Sequence, residues 1–180
     1  MAIQLILGGA RSGKSAYAEK LASERGLPVT YIATAQVYDE EFAKRVAHHQ
    51  ARRPKGWQLF EAPHYLGDAL GANIHAGCSL VVDCLTLWLA QCICPECAPP
   101  EGVSWENERA KFLTRLEKIQ QEKVGTNLIL VSNEVGMGIV PLGEINRQFQ
   151  DEQGRLNQAV ARLADEVYFV AAGLPLKLKG

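Results

Sequence analysis

The chain has almost no charge excess of either sign: 19 Lys and Arg stand against 20 Asp and Glu, for a formal net charge of −1. That balance excludes a protein built around binding nucleic acid or another polyanion, which carries a marked basic surplus. Long hydrophobic runs are also missing. The apolar stretches are strand-length, so no membrane span is expected, and no charged-then-apolar leader opens the chain, which predicts a cytoplasmic protein. Cysteine is sparse and odd in number, five in 180 residues. A small disulfide-stapled secreted scaffold is thereby excluded, and reduced thiols are expected. There is no internal repeat and no disordered low-complexity tract.

What remains is one hydrophobic core's worth of sequence. A chain of 180 residues, 47% hydrophobic, predicts a single domain spanning 1–180. Short, partly β-branched apolar runs alternate with stretches of helical periodicity, the pattern of an α/β fold with a mostly parallel sheet covered by helices on both faces. Strands are predicted at Ile3 to Leu7, Val29 to Ala33, Leu80 to Asp83, Leu128 to Ser132 and Val167 to Ala171. Helices are predicted at roughly Lys14 to Arg25, Asp39 to His49, Trp105 to Lys123 and Arg155 to Asp165. The closing "GLPLKLKG" reads as an edge strand running back antiparallel. "CPECAPPEG" gathers Pro and Gly and reads as a surface loop.

Directly after the first strand comes "GGARSGKS", in which Gly8, Gly13, Lys14 and Ser15 match G-x-x-x-x-G-K-[ST] at every required position. The glycines permit the backbone angles and close approach that let successive N–H groups, from Gly8 and Gly9 through Ala10, Arg11 and Ser12, point at phosphate oxygens. Lys14 then reaches the β- and γ-phosphates, and Ser15 can ligate Mg²⁺. The helix starting there turns its positive end to the anion. These features predict a three-layer P-loop NTPase-type fold. Such a site needs an acid on a neighbouring strand, and "SLVVDC" supplies Asp83 at the carboxyl edge of the sheet, where ligands of open α/β folds bind. Alternatively, Asp83 only ends the strand or caps the next helix, "DCLTLWLAQ". Glu134, after "LILVSN", reaches the same edge.

"RVAHHQARRP" sets His48 and His49 just ahead of Arg52 and Arg53. On a helix advancing about 100° per residue, Phe42, Val46 and His49 share a stripe and His48 falls to one side. Two readings stay open on these residues alone. His49 is a helix-end histidine favoured by the C-terminal dipole, or its neutral imidazole attacks phosphorus while the arginines hold phosphate oxygens.

Taken together, "GGARSGKS", "YIATAQ", "RVAHHQARRP", "NEVGMGIVP" and "FQDEQGRLNQ" resemble the bifunctional adenosylcobinamide kinase/adenosylcobinamide-phosphate guanylyltransferase family of cobalamin biosynthesis. The resemblance extends to "VYFVAAG". It implies phosphorylation of the aminopropanol hydroxyl of adenosylcobinamide by ATP or GTP, then transfer of GMP from GTP to that phosphate through a GMP-histidine intermediate. His49 matches the family's histidine. By the same resemblance Gly8 to Ser15, Thr34, Ala35 and Gln36, Gln50, Ala51, Arg52 and Arg53, with Glu61 and Asp83, match nucleotide-binding positions. Ser15 and Asp83 are the expected holders of Mg²⁺. Ala35 departs from a segment that often reads Thr-Ser-Gln, and Asp83 stands where many relatives have Glu. The resemblance further implies a homotrimer.

The competing functional classes are a P-loop kinase of another small alcohol, with His49 merely structural, and a nucleotide-dependent switch with no small-molecule acceptor. Cys92, Cys94 and Cys97 form C-x-C-x₂-C without an obvious fourth ligand, and zinc usually takes four. They read as ordinary thiols in a variable loop. His64 and His75 are assigned to packing or surface, and the mixed charges after Trp105 to a solvated helix face.

Overall fold

A computed structural model of the chain describes residues 2–36, 40, 43–44, 46–47, 53–94, 97, 99–123 and 125–180. Seven strands form one sheet: β1 (Ala2–Gly8), β2 (Val29–Ala33), β3 (Gln58–Glu61), β4 (Ser79–Asp83), β5 (Asn127–Asn133), β6 (Glu166–Ala171) and β7 (Leu174–Lys179). Their order is β3-β2-β4-β5-β1-β6-β7. Every neighbouring pair is parallel except β6–β7, which is antiparallel as the closing sequence predicts. The described helices are α1 (Lys14–Glu24), α2 (Leu66–Asn73), α3 (Leu85–Ile93), α4 (Trp105–Glu122) and α5 (Glu144–Leu163).

Strand side chains alternate between faces, and here both faces are apolar. Ile3, Leu5, Leu80, Val82, Leu128 and Leu130 turn to one side, where they pack with Leu70, Trp88, Phe112, Leu116 and Val160 from α2 to α5. Ile6, Val81, Ile129 and Val131 turn to the other, against Ala18 and Ala22 of α1. The central strands therefore read as continuous hydrophobic runs, and the result is the expected three-layer α/β fold. No helix among the described residues is long and apolar enough to cross a membrane.

Three elements differ from the sequence expectation for physical reasons. Strand β3 was not expected, because it is only four residues long and exposed throughout. Helix α2 was not expected either. Its two glycines lower helix propensity, but they allow close packing: a Cβ on Gly67 would lie 3.0 Å from the α4 backbone at Lys111 and Phe112, and one on Gly71 would lie 2.8 Å from the Arg115 guanidinium. Helix α5 starts at Glu144 rather than Arg155, since its first two turns are mostly exposed and carry little apolar signal beyond Ile145 and Phe149. The helix predicted over 39–49 lies partly outside the described residues. Glu40, Ala43, Lys44, Val46 and Ala47 are helical, with Val46 half-buried and Ala47 exposed.

Helix α4 buries Trp105, Phe112, Leu116 and Ile119 and exposes the charged face expected of it, with the exception of Glu108, which is 2% exposed. Trp105 and Phe112 both stack on Trp88, at 5.1 Å between ring centroids in each case. Because the α2–α4 crossing leaves no room for a methyl group, Gly67→Ala is expected to push the helices apart. The cost should be about 1–3 kcal/mol, measured as a lower urea midpoint at unchanged slope.

Candidate nucleotide site at the carboxyl edge of the sheet

The parallel register brings a row of chain positions to one edge. Gly8 pairs with Asn133, Asp83 with Val131, Ala33 with Asp83, and Glu61 with Ala33. Glu61 and Asp83 thus flank the end of β2 on either side, about 10 Å apart by strand spacing. The row ends beside the loop that leaves β1.

That loop is tightly held. A Cβ on Gly8 would lie 2.5 Å from both Ser12 Oγ and the Val170 carbonyl oxygen. Gly13 has φ +96°, and a Cβ there would sit 3.1 Å from Gly173 Cα, in the β6–β7 turn. Gly173 N–H donates to the Ser12 carbonyl at 2.8 Å, and Glu134 N–H donates to the Gly8 carbonyl at 3.1 Å. The loop is therefore tied at both ends to the tips of neighbouring strands. Lys14 is only 9% exposed, and its ammonium donates to the Gly9 carbonyl at 3.0 Å across the loop. An ammonium has three donors, so this bond leaves two for phosphate oxygens. Ser15 stands half-buried in the first turn of α1.

Asp83 is positioned from β2. Tyr31, 3% exposed, donates its hydroxyl to Asp83 Oδ2 at 2.7 Å. Burial, and then the Asp83 carboxylate beside it, push the Tyr31 hydroxyl far above the ordinary phenol range, so it remains a donor. Thr34, fully buried, donates to the Cys84 carbonyl at 2.7 Å and accepts from Cys84 N–H at 2.8 Å. Its hydroxyl thus locks the ends of β2 and β4 together, while Ala35 is half-buried and Gln36 exposed. Cys84 is no candidate nucleophile. Burial and the neighbouring Asp83 push its thiol up to about 12, which keeps it neutral.

On the other flank, the end of β5 is fixed from α5. Ser132 donates to Asn157 Oδ1 at 2.7 Å, Gln153 donates to Ser132 Oγ at 2.9 Å, and Asn157 donates to the Asn133 carbonyl at 3.0 Å. Asn133 N–H in turn donates to Thr86 Oγ1 at 2.7 Å. The sequence reading did not find this network. The signal available was "FQDEQGRLNQ" itself, which places amides on the apolar stripe of a helix. Glu134 turns back on its own loop, accepting from Gly136 N–H at 2.7 Å.

Arg53 is the described member of the arginine pair. Its guanidinium lies 4.1 Å from the centroid of the Tyr31 ring. His48, His49, Gln50, Ala51 and Arg52 lie outside the described residues. Glu61 is exposed at the end of β3. His64 is buried and His75 exposed, in line with packing and surface roles. Cys92 is buried, and among the described residues no group of three His, Cys, Asp or Glu is arranged to hold a metal. The donor types of Ser15 and Asp83 nevertheless suit Mg²⁺. It prefers oxygen, keeps several waters and is commonly held by one or two protein oxygens together with substrate phosphates.

The described fold matches known P-loop architectures. The RadB recombinase covers 93% of this chain with 73% of its own length at a TM-score of 0.53 and 15% identity. A type III secretion system ATPase covers 98% with 56% of its own length at 0.52 and 11% identity. At such identities the likeness speaks to fold alone. The model of the cobinamide kinase/cobinamide phosphate guanyltransferase family matches residues 4–178. The chain belongs to this family. Among curated relatives, the bifunctional adenosylcobalamin biosynthesis protein CobP of Pseudomonas aeruginosa is 49% identical over 98% of this chain and 96% of its own length. The CobU proteins of Escherichia coli and Salmonella typhimurium are 35% and 34% identical, each over 97% of this chain and 98% of its own length. Membership of the family agrees with the resemblance carried by the motifs.

The closeness of Gly8 to backbone gives a direct test. Gly8→Ala must displace the Val170 carbonyl or the loop, so GTP affinity is expected to fall at least roughly tenfold, about 1.4 kcal/mol, by isothermal titration. Unchanged affinity would show that the loop is not the phosphate cradle.

Proposed function

We propose that this chain phosphorylates the aminopropanol hydroxyl of adenosylcobinamide, with ATP or GTP as donor, and then transfers GMP from GTP onto that phosphate to give adenosylcobinamide-GDP. The observation that carries the proposal is the tied-down phosphate loop with Lys14 drawn across it, in a chain whose family model runs nearly end to end. The catalytic unit is residues 1–180 acting as a single P-loop domain.

In the kinase step the loop's backbone N–H groups, from Gly8 to Ser15, and the Lys14 ammonium take up the negative charge of the donor's phosphates. Ser15 and Asp83 would hold Mg²⁺, which would supply charge neutralisation to the donor's phosphates. Thr34, Ala35, Gln36 and Glu61 border the nucleotide from β2 and β3. Since the Thr34 hydroxyl is engaged with Cys84, contacts from this segment fall to its backbone and to Gln36.

In the transfer step a neutral nitrogen of His49 attacks the α-phosphorus of GTP. The bond to the bridging oxygen breaks, pyrophosphate leaves, and GMP stays on the imidazole as a phosphoramidate. A phosphate oxygen of the phosphorylated corrinoid then attacks the same phosphorus, and the histidine is regenerated. Gln50, Ala51, Arg52 and Arg53 hold the nucleotide beside it. The arginines favour the neutral imidazole by like-charge repulsion and bind phosphate oxygens bidentately.

The working form is a homotrimer in the cytoplasm. Two exposed apolar stretches support subunit contacts: Ile139 and Leu142 after β5 are 97% and 98% exposed, and Leu174, Leu176 and Leu178 line β7. Contiguous apolar exposure of this kind marks interaction surfaces. The buried thiols of Cys78, Cys84 and Cys92 fit a reducing compartment.

Lys14→Ala is expected to lower the kinase rate by about 10² to 10³, and near-normal turnover would remove the loop from the chemistry. His49→Ala should abolish the covalent GMP adduct and guanylyl transfer while most corrinoid phosphorylation survives. His48→Ala should keep the adduct. Mass spectrometry of both variants after GTP treatment decides between them: an adduct retained in His49→Ala and lost in His48→Ala would reverse the assignment.

A further inference from the structure

We propose that Tyr31 is a positioning residue that couples the arginine end of the histidine segment to the acid Asp83, through one hydroxyl and one ring. The inference rests on the reading of Asp83 and of residues 50–53 as parts of the nucleotide site. Tyr31 lies in the interior of β2, 3% exposed, with its hydroxyl 2.7 Å from Asp83 Oδ2. Its ring face carries the Arg53 guanidinium at 4.1 Å, and Trp57 stands beside it with centroids 6.3 Å apart. One side chain thus touches residues 52 and 22 positions away in sequence. These two residues belong to separate parts of the site: the strand end next to the phosphate loop, and the segment that follows the histidines.

The choice of partners matters for both ends. Fixing Oδ2 leaves the carboxylate in one rotamer, with the lone pairs of Oδ1 still available. Among the described residues Arg53 is seated on an aromatic face, and its buried Nε has no hydrogen-bond partner there. A cation held on a ring keeps its N–H groups and its charge for an anion. A carboxylate in the same place would have neutralised both. A tyrosine serving only to fill the core would need an acceptor for its hydroxyl, but not the guanidinium on its face.

The two contacts are separable by substitution in the full chain. Tyr31→Phe removes the hydroxyl and keeps the ring, Tyr31→Leu removes both, and Arg53→Ala removes the cation. Two quantities are read: GTP affinity in EDTA, and the Mg²⁺ concentration giving half-maximal phosphorylation. Tyr31→Phe should keep metal-free affinity within about twofold and raise the half-saturating Mg²⁺ about tenfold, the scale of one hydrogen bond to a charged group. Tyr31→Leu and Arg53→Ala should each weaken metal-free GTP binding about fivefold to tenfold, and the double variant should bind no more weakly than either alone. Losses that multiply in the double variant, or wild-type Mg²⁺ dependence in Tyr31→Phe, would overturn the coupling. Should Tyr31→Leu fail to fold, Tyr31→Phe still decides the Asp83 half, and Tyr31→Trp, which keeps an aromatic face, should retain metal-free affinity if the ring seats Arg53 and lose it if not. Asp83→Asn separates the underlying reading. Wild-type Mg²⁺ dependence in that variant removes Asp83 as a metal holder, whereas the Tyr31–Arg53 coupling without metal is unaffected by that outcome.

Discussion

At Gly8 the chain has no room for a side chain, because the space a Cβ would fill is taken by Ser12 Oγ and by the Val170 carbonyl, each at 2.5 Å. This crowding follows from the central place of β1, paired with β5 on one side and β6 on the other. A loop that leaves the middle of a parallel sheet must turn sharply over the neighbouring strand ends, and only glycine tolerates that approach. The consequence is a loop whose shape is held by its own packing, with Ser12 N–H turned onto the Gly9 carbonyl and Gly173 N–H onto Ser12. Lys14 already crosses it, bound to Gly9. Preorganised donors of this kind lose little reorganisation energy when charge develops.

The same edge gathers its other members by register. Asp83, Ala33 and Glu61 stand in one row of adjacent strands, and the ends of β2, β4 and β5 are fixed by side chains. Thr34 locks β2 to the residue after β4, Tyr31 holds the Asp83 carboxylate, and the Ser132–Gln153–Asn157 group ties β5 to α5. All three devices use buried or part-buried hydrogen bonds, which rigidify a site more than exposed ones do. Fold and chemistry are therefore linked at a few strand-terminal residues, while the wide hydrophobic sheet below them only supplies stiffness.

The phosphate loop was legible in the sequence because its requirement is local: eight consecutive residues, a strand before and a helix after. The place of Asp83 at the end of β4 was legible for a similar reason, as a carboxylate closing an apolar run, and the antiparallel β7 followed from the turn at Gly173. What depended on distant parts of the chain was not legible. The Tyr31–Asp83 bond requires that β2 and β4 be neighbours, and the amides of α5 make sense only once the end of β5 lies under them. Strand β3 was missed because an exposed four-residue edge strand has no burial pattern. Helix α2 was missed because its glycines serve packing against α4 at the expense of local propensity. For the histidines, residue physics left two readings open, and the family resemblance selected one.

On the proposed reading two successive transfers run from nucleotide to corrinoid, the second by way of the protein. A single-turnover experiment with GTP labelled differently at its α- and γ-phosphorus, and adenosylcobinamide as acceptor, tests it most directly. The γ-label should reach the corrinoid first. The α-label should pass through an acid-labile, protein-bound pool that empties into the corrinoid as that pool decays. An α-label that appears on the corrinoid without ever residing on the protein, or a γ-label that never leaves for the corrinoid, would contradict the account.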